Sequence, residues 1–355
     1  MKKMLILLVI LVAILSLSAC KGAGGQQELA TELHLFNWTE YMNPEVLSDF
    51  EAEFGVKVIE DTFSSNEELL AKLQAGATGY DVIVPSDYMV DIMIQEGLLA
   101  ELNKDNIPNL VNLSQTFKNP PYDPGLVHCV PYQWGTTGIG YNSDEFEDPP
   151  DSWAYLFDPA VASLYAGKIT MLNDSRESIG AALKYLGYSL NTTNEAQLNE
   201  ARDLLIQQKQ WVFSYDSDQY EDLIAADETV MAHGWSGDFF MAAVEDERIW
   251  YSIPKEGAVV WADNMCIPVS SKNKYTAEVF LNYILRPEVA AKITNFTWYA
   301  SPVAAANEFI DPEILEEPAI YPPPEVFERL EWLEDVGEAT PIYERIWTEV
   351  KAAGP

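Results

Sequence analysis

Aromatic side chains stand beside carboxylates at three places in this sequence, each at the end of a predicted strand. Residues 37–41 read Asn-Trp-Thr-Glu-Tyr, residues 86–88 read Ser-Asp-Tyr, and residues 261–263 read Trp-Ala-Asp. Carboxylates accept charge-assisted hydrogen bonds from an ammonium group, and an aromatic face adds cation–π attraction worth roughly 0.5–2 kcal/mol. Any one cluster could consist of core tryptophans and helix-capping acids, but three of them at strand ends favour a site for an organic cation.

Motifs for catalysis or metal binding are incomplete in this chain. Residues 234–238 resemble the nucleophile elbow of hydrolases, but Asp238 stands where that motif requires glycine. The glycines of residues 135–140 lack the spacing of a dinucleotide-binding loop. The histidines are too far apart in the sequence to suggest a shared metal: His34, His128 and His233.

Asp174 and Glu177 could in principle act as the paired carboxylates of a glycosidase. Residues on one helical turn, however, rarely flank a bond from opposite sides. We therefore predict a binding protein without a metal or cofactor, and an extracellular hydrolase remains the alternative from another class.

The composition excludes one large class of partner. The formal net charge is −35 and the sequence pI is near 4.2. Nucleic-acid binding requires clustered Lys and Arg, which this chain does not have. Acidity favours the approach of a cation, although it also keeps an exported protein soluble.

The predicted elements place the first two clusters at the ends of sheet strands, and residues 261–263 on a segment expected to cross between domains. Strand patterns at residues 32–36, 56–59 and 81–85 alternate with two helices, which Asn43 and Ser65 are expected to cap. This alternation predicts a parallel sheet covered by helices, in which ligands bind beyond the carboxyl ends of the strands. Near the other end of the chain, residues 325–350 read as an amphipathic helical region.

Two extended segments, residues 131–142 and 259–268, are expected to cross between domains. Cys129 lies two residues before the first segment and Cys266 lies within the second. We interpret both as small buried thiols in strands, with a disulfide as the alternative.

The N-terminus predicts export. Lys2 and Lys3 precede an apolar run at residues 4–17, which is short for a membrane span but typical of a signal peptide. Residues 17–20 read Leu-Ser-Ala-Cys, the pattern of a bacterial lipobox, so Cys20 is expected to carry lipid. A plain secretory signal or an uncleaved anchor are the alternatives. Residues 1–20 are thus a predicted signal peptide and residues 21–28 a flexible tether.

Beyond these patterns, the sequence resembles the spermidine/putrescine-binding proteins of polyamine ABC transporters, within the periplasmic solute-binding protein family. Several segments carry the resemblance in family order over nearly the whole mature chain: residues 37–41, 80–86, 131–135, 173–177, 254–257, 261–263 and 285–290.

The resemblance implies a two-lobed α/β fold of the periplasmic-binding-protein type, which closes on its ligand in the cleft between the lobes. Residues 29–136 with 262–307 are expected to form one lobe, and residues 137–261 with 308–355 the other. The implied ammonium partners are Asp174, Glu177 and Asp263. The implied aromatic box consists of Trp38, Tyr41, Tyr88, Trp235, Trp261 and Tyr299, with Thr39, Glu40 and Ser86 at its rim.

One position departs from the resemblance. Leu333 stands where members of this family often have a glutamine that contributes a polar contact to the ligand. It could line the cleft, or it could belong to the hydrophobic face of a helix.

The resemblance also implies the protein's partners. These are a polyamine ligand, the membrane permease subunits of an ABC transporter, and the membrane itself through lipid on Cys20, at an extracytoplasmic location. A different cationic or sugar-like solute is the alternative, because aromatic boxes also hold sugars and quaternary amines.

Overall fold

The computed structural model describes residues 27–76 and 78–354. The predicted signal peptide with Cys20, and residues 21–26 of the predicted tether, lie outside the described residues. Within 27–76 and 78–354, no helix is both long and apolar enough to cross a membrane.

The strands of the described chain join into one sheet with the order β2-β1-β3-β9-β4-β7-β5-β6, where β10 pairs with β9 and β8 pairs with β4. In chain order they are β1 Glu32–Trp38, β2 Lys57–Phe63, β3 Val82–Ile83, β4 Cys129–Asn142, β5 Ile169–Met171, β6 Val212–Tyr215, β7 Met231–Trp235, β8 Ile249–Ser252, β9 Val259–Cys266 and β10 Glu331–Trp332. Strand β1 pairs in parallel with β2 and β3, as the sequence predicts, and β5 pairs in parallel with β6 and β7.

Helices and short 3₁₀ turns cover the sheet. The α-helices are α1 Pro44–Phe54, α2 Asn66–Gln74, α3 Asp87–Gln95, α4 Ala154–Phe157, α5 Pro159–Ala162, α6 Ser175–Tyr185, α7 Glu195–Gln208, α8 Tyr220–Ala225, α9 Ser236–Glu245, α10 Lys274–Ile284, α11 Pro287–Thr297, α12 Pro312–Glu316, α13 Pro324–Phe327 and α14 Thr340–Ala352.

Capping residues mark the ends of the first two helices, α1 and α2. The Asn43 side chain accepts a hydrogen bond from the backbone of Glu45, and Gly55 ends α1 at a φ of 70°. Ser65 accepts a hydrogen bond from the backbone of Glu68 at the start of α2. Both predicted caps are confirmed, because these side chains satisfy amide groups that have no partner inside the helix.

Strand β4 is long enough to belong to both halves of the sheet. Its residues 129–136 pair antiparallel with β9, whereas residues 137–141 pair with β7 and residues 139–142 with β8. The hydrophobic core correspondingly divides into two clusters. One of them contains Phe36 and Phe280, and the other contains Trp153 and Leu205.

The interpretation of the cysteines as free thiols is wrong. Cys129 and Cys266 form a disulfide, and their backbones face each other across the β4–β9 pair. The disulfide depends on the register between β4 and β9. This register places the two cysteines opposite each other, although they are 137 residues apart in the chain.

The sequence also predicted the region before α14 wrongly. Residues 325–350 do not form one helical region: α13 ends at Phe327, and residues 331–332 form β10. Glu331 and Trp332 pair with Val259 and Val260 of β9, so hydrogen bonding to the sheet replaces helical hydrogen bonding. Leu333, which follows β10, therefore does not lie on a helix. Strand β3 is likewise shorter than the predicted residues 81–85.

Candidate functional site

A cleft with a volume of about 760 Å³, including its open mouth, lies beyond the carboxyl ends of several strands. Strands β1 and β7 end at Trp38 and Trp235, while Ser86 and Asp174 stand just after β3 and β5. Parallel strands bring their carboxyl ends to a common edge, so residues that are distant in sequence meet there.

All the residues predicted as ligand contacts line this cleft: Trp38, Thr39, Glu40, Tyr41, Ser86, Tyr88, Asp174, Glu177, Trp235, Trp261, Asp263 and Tyr299. The structure adds residues that the sequence analysis did not propose as contacts: Phe63, Ser64, Asn66, Ser217, Asp218, Glu221 and Asp238. Leu333, which the sequence left undecided, also lines the cleft.

Aromatic rings form the walls. The rings of Trp38 and Trp235 meet edge to face at 5.8 Å, and the indole of Trp38 donates a hydrogen bond to the Val84 carbonyl. The ring of Tyr299 lies 5.2 Å from the rings of both Tyr41 and Trp261. Such contacts hold the rings in fixed orientations, which leaves their faces available to a ligand at little entropic cost.

Two glycines make room for these rings. A Cβ atom at Gly135 would lie 2.8 Å from the Trp261 ring, and one at Gly237 would lie 2.6 Å from the Tyr299 ring. Any larger residue at either position would displace the aromatic wall. Gly135 of β4 thus allows the Trp261 ring to pack closely against the strand.

Asp263 is the buried acid on the crossing strand β9, and its side chain is 5 % exposed. The Ser86 hydroxyl donates to its Oδ1 at 2.6 Å, and Asn66 in turn donates to the Ser86 Oγ at 3.0 Å. Burial raises the pKa of Asp263 to about 7, although the hydrogen bond from Ser86 acts in the opposite direction. The carboxyl group is therefore held in a fixed position without a cation beside it.

Asp174 and Glu177 form a second acidic position at the start of α6. Asp174 caps this helix, since its Oδ1 accepts hydrogen bonds from the backbone of Arg176 at 2.9 Å and of Glu177 at 3.0 Å. Glu177 accepts a hydrogen bond from the Trp235 indole at 3.3 Å, and its carboxyl group also lies beside the Thr137 hydroxyl. Burial and the charge of Asp174 raise the pKa of Glu177 to about 8.

Asp238 and Glu221 are acids that the sequence analysis did not select. The hydroxyls of Tyr220 and Tyr299 both donate to Asp238, the second at 2.6 Å. Burial raises the pKa of Asp238 to about 6. The signal for Asp238 in the sequence is the segment 234–238, which resembles an incomplete hydrolase motif and so does not indicate a cation site.

Arg176 is a buried cation next to the site. Its guanidinium lies 5.2 Å from the centre of the Tyr88 ring and donates to the Glu334 carbonyl and to Asn191. Arg176 therefore contacts the ring of Tyr88, but it is not among the residues that line the cleft.

Leu333 is 5 % exposed and packs with the larger hydrophobic cluster while it lines the cleft. Of the two interpretations of this residue, the one that put it on a helix face is wrong. An apolar side chain at this position can contact methylene groups but offers no hydrogen bond to an amine.

The described residues contain no group of three or more His, Cys, Asp or Glu arranged to hold a metal ion. His233 is buried, and burial lowers its pKa to about 3, so it is a neutral core residue beside the Trp153 ring.

Known proteins are similar to this chain over most of its length. Residues 45–322 match the family model described as bacterial extracellular solute-binding protein. The spermidine/putrescine-binding periplasmic protein of Salmonella typhimurium is 37% identical over 323 residues, which cover 90% of this chain and 91% of that protein. The putrescine/cadaverine-binding protein of Pseudomonas aeruginosa is 36% identical over 341 residues, which cover 93% of this chain and 96% of that protein.

Solved structures show the same fold. The spermidine/putrescine ABC transporter substrate-binding protein PotD of Streptococcus pneumoniae superposes with a TM-score of 0.76 at 32% identity, covering 91% of this chain and 99% of that one. The TpPotD lipoprotein of Treponema pallidum superposes with a TM-score of 0.79 at 32% identity, covering 90% and 99%. The predicted two-lobed, periplasmic-binding-protein-like α/β fold and the resemblance drawn from the sequence are both confirmed.

Proposed function

This chain belongs to the bacterial extracellular solute-binding proteins, and we propose that its solute is a polyamine such as spermidine or putrescine. The family consists of transport proteins that bind solutes and are not enzymes, which excludes the hydrolase alternative.

The observation that carries the proposal is the charge of the cleft. Seven carboxylates line it, and no Lys, Arg or His is among the described residues that do so: Glu40, Asp174, Glu177, Asp218, Glu221, Asp238 and Asp263. Four of these acids are buried, namely Asp174, Glu177, Glu221 and Asp263. Buried charges in proteins are normally paired, so these acids favour a cationic partner. A sugar offers no positive charge to these acids.

The chemistry of a polyamine complements both parts of the cleft. Its ammonium groups donate charge-assisted hydrogen bonds to the buried carboxyl groups of Asp263 and Glu177. Its methylene chain packs against the rings of Trp38, Trp261 and Tyr299. Each well-placed ring contributes roughly 0.5–2 kcal/mol of cation–π attraction to a nearby ammonium group.

Capture occurs by closure of two lobes, for which we propose residues 29–136 with 262–307 and residues 137–261 with 308–355. Strands β4 and β9 cross between these lobes. With these boundaries, the Tyr299–Asp238 hydrogen bond and the Trp38–Trp235 contact join one lobe to the other. A ligand that contacts both lobes favours the closed state by its differential affinity.

Relatives of this chain are periplasmic proteins, which agrees with the signal peptide predicted for residues 1–20. We propose that lipid on Cys20 anchors the protein to the membrane. Residues 21–28 then act as the tether that leaves the binding domain free to reach the permease subunits of an ABC transporter.

The test is calorimetry and thermal melting of the mature protein with putrescine, spermidine, spermine, choline and an oligosaccharide. A ligand present at a hundred times its dissociation constant stabilises the native state by about 2.7 kcal/mol. We expect the melting temperature to rise by several degrees with a polyamine and to stay unchanged with the oligosaccharide. A rise with the oligosaccharide or with choline, and none with any polyamine, would refute the proposal.

A further inference from the structure

Trp134 and Trp332 lie on the face of the crossing strands that is turned away from the cleft, called the rear face. Trp134 precedes Gly135 in β4, and a Cβ atom at Gly135 would point at the ring of Trp261, which lines the cleft. Because successive side chains of a strand point to opposite faces, Trp134 points to the rear face. Trp332 pairs with Val260, the residue before Trp261 in β9, so Trp332 also lies on the rear face.

Five aromatic rings on this face surround a second cavity of about 620 Å³, including its open mouth. They are called the rear cluster: Phe117, Trp134, Tyr321, Phe327 and Trp332. Neighbouring ring centres lie between 5.8 and 6.4 Å apart. All of these side chains except Phe117 are only partly buried. Phe327 and Trp332 also lie outside both hydrophobic clusters of the described chain, so the rear cluster is a partly exposed interface.

The rear cluster joins the two proposed lobes. With the proposed boundaries, Phe117 and Trp134 belong to one lobe and the other three rings to the second. The Phe117 ring lies 6.4 Å from that of Trp332, and the Trp134 ring lies 5.8 Å from that of Tyr321. The backbone of Ser301 in the first lobe also donates to the Tyr321 hydroxyl at 3.1 Å. The lobes therefore meet on both faces of the crossing strands, at the cleft and at the rear.

Rotation about the crossing strands moves these two faces in opposite directions. In this structure the lobes touch across the cleft, for example through Trp38 and Trp235, while the rear rings stand around a cavity. Opening the cleft separates Trp38 from Trp235 and moves the rear rings towards one another. The rings then bury surface that is exposed in the closed arrangement. Since burial of apolar surface is favourable, the rear cluster stabilises the open state.

We propose that the rear cluster sets the equilibrium between the open and closed states, and thereby the affinity for ligand, without contacting the ligand. This inference rests on the proposed function, in which the ligand favours the closed state. The residues of the rear cluster are positioning residues, because they act through the strands β4 and β9. The apparent affinity falls as the closed fraction of the ligand-free protein falls, since ligand binding must then also close the lobes.

The first variant, Phe327→Ala, removes ring surface that opening would bury. Its matched control is Phe213→Ala, because Phe213 is a half-exposed ring on β6 that lines neither the cleft nor the rear cavity. We expect Phe327→Ala to bind spermidine about threefold or more tighter than the wild type, because the closed fraction rises. Phe213→Ala should bind as the wild type does. Calorimetric titration measures both.

The second variant, Ala304→Trp, adds a ring where the rear cavity has room in the closed arrangement. Ala304 lines this cavity, which becomes smaller as the cleft opens, so the added ring obstructs opening. Ala196→Trp, at an exposed position of α7, is the matched control. We expect Ala304→Trp to tighten spermidine binding as well. Small-angle scattering of the ligand-free protein should give both Phe327→Ala and Ala304→Trp a smaller radius of gyration than the wild type.

Unchanged or weaker spermidine affinity in either variant would overturn the inference, and a lower melting temperature alongside it would make the rear cluster a structural contact. The same gain in Phe213→Ala or Ala196→Trp would show an effect unrelated to the rear face. Scattering separates this inference from the proposed function, because it needs no ligand. If the wild-type protein binds no polyamine, the proposed function fails, and an unchanged radius of gyration in both variants overturns the inference by itself.

Discussion

Replacing Asp263 by asparagine should change ligand binding and stability in opposite directions. The amide introduced by Asp263→Asn keeps the size of the side chain and can still accept the hydrogen bond from Ser86, so the β9 strand should not rearrange. Only the charge is lost. The two effects follow from the same cause, which is that this carboxylate is buried without a cation.

The binding effect is a loss. Removing one partner of a desolvated charge pair commonly costs about 2–5 kcal/mol, which corresponds to a rise in the spermidine dissociation constant of roughly 30-fold to 5,000-fold. Calorimetric titration of wild-type protein and Asp263→Asn with spermidine measures it directly. An unchanged dissociation constant would mean that Asp263 does not meet the ligand.

Without ligand, the Asp263→Asn variant should be more stable than the wild type, and the difference in free energy of unfolding should depend on pH. Folding raises the pKa of Asp263 from an ordinary value of 3.8 to about 7, so the folded state resists ionisation. The wild-type protein therefore loses stability relative to the variant as pH rises from about 4 to 7, and the difference is complete above pH 7. Since one pH unit corresponds to about 1.4 kcal/mol, the ligand-free variant should be more stable at pH 7.5 by at most about 4 kcal/mol.

Chemical denaturation without ligand at pH 4.5 and pH 7.5 tests this sign, with Asp222→Asn as the control for the removal of an exposed charge. A variant that is less stable than the wild type at both pH values would refute the reasoning. Asp263 would then be a structural acceptor whose charge the fold requires.

Three further predictions concern the cysteines and Leu333. Reduction of the Cys129–Cys266 disulfide, which closes a loop of 137 residues, should lower the free energy of unfolding by about 3–5 kcal/mol in a denaturation series with and without reductant. Cys20→Ser should abolish labelling by a radioactive fatty acid and release the protein from the membrane fraction; an unlabelled wild-type chain would contradict the anchor. Leu333→Gln should change the ratio of spermidine to putrescine affinity in calorimetry, and an unchanged ratio with a lower melting temperature would assign Leu333 to the core alone.

The sequence predicted the residues that stand next to strand ends in the chain itself. Trp38 is the last residue of β1, and Ser86 stands between β3 and α3, so a correct strand assignment places both at the cleft. Asp174 caps α6 in the structure, whereas the sequence assigned it to the ligand through the family resemblance. The positions of Trp38 and Ser86 follow from short-range patterns, and the pairing of parallel strands brings them together.

Other features depended on contacts that local patterns do not encode. Glu221 lines the cleft because α8 packs with its first turn at the cleft wall, and no neighbouring sequence signal marks that orientation. The apolar spacing around Leu333 resembles that of a helix, whereas pairing of β10 with β9 gave this segment an extended backbone. The disulfide was missed for the same reason, since it depends on the register between β4 and β9.

The same burial that makes these carboxylates unfavourable in the empty protein makes them selective. Burial raises the pKa values of Glu177, Glu221 and Asp263 to about 8, 9 and 7, so each is partly or wholly protonated at neutral pH until a cation arrives. A neutral solute does not favour the ionised form of these carboxyl groups. An ammonium group does favour it, and it also donates a hydrogen bond to the carboxylate that forms. Under the proposed function, ligand charge rather than ligand shape alone therefore supplies the difference in free energy that favours the closed cleft.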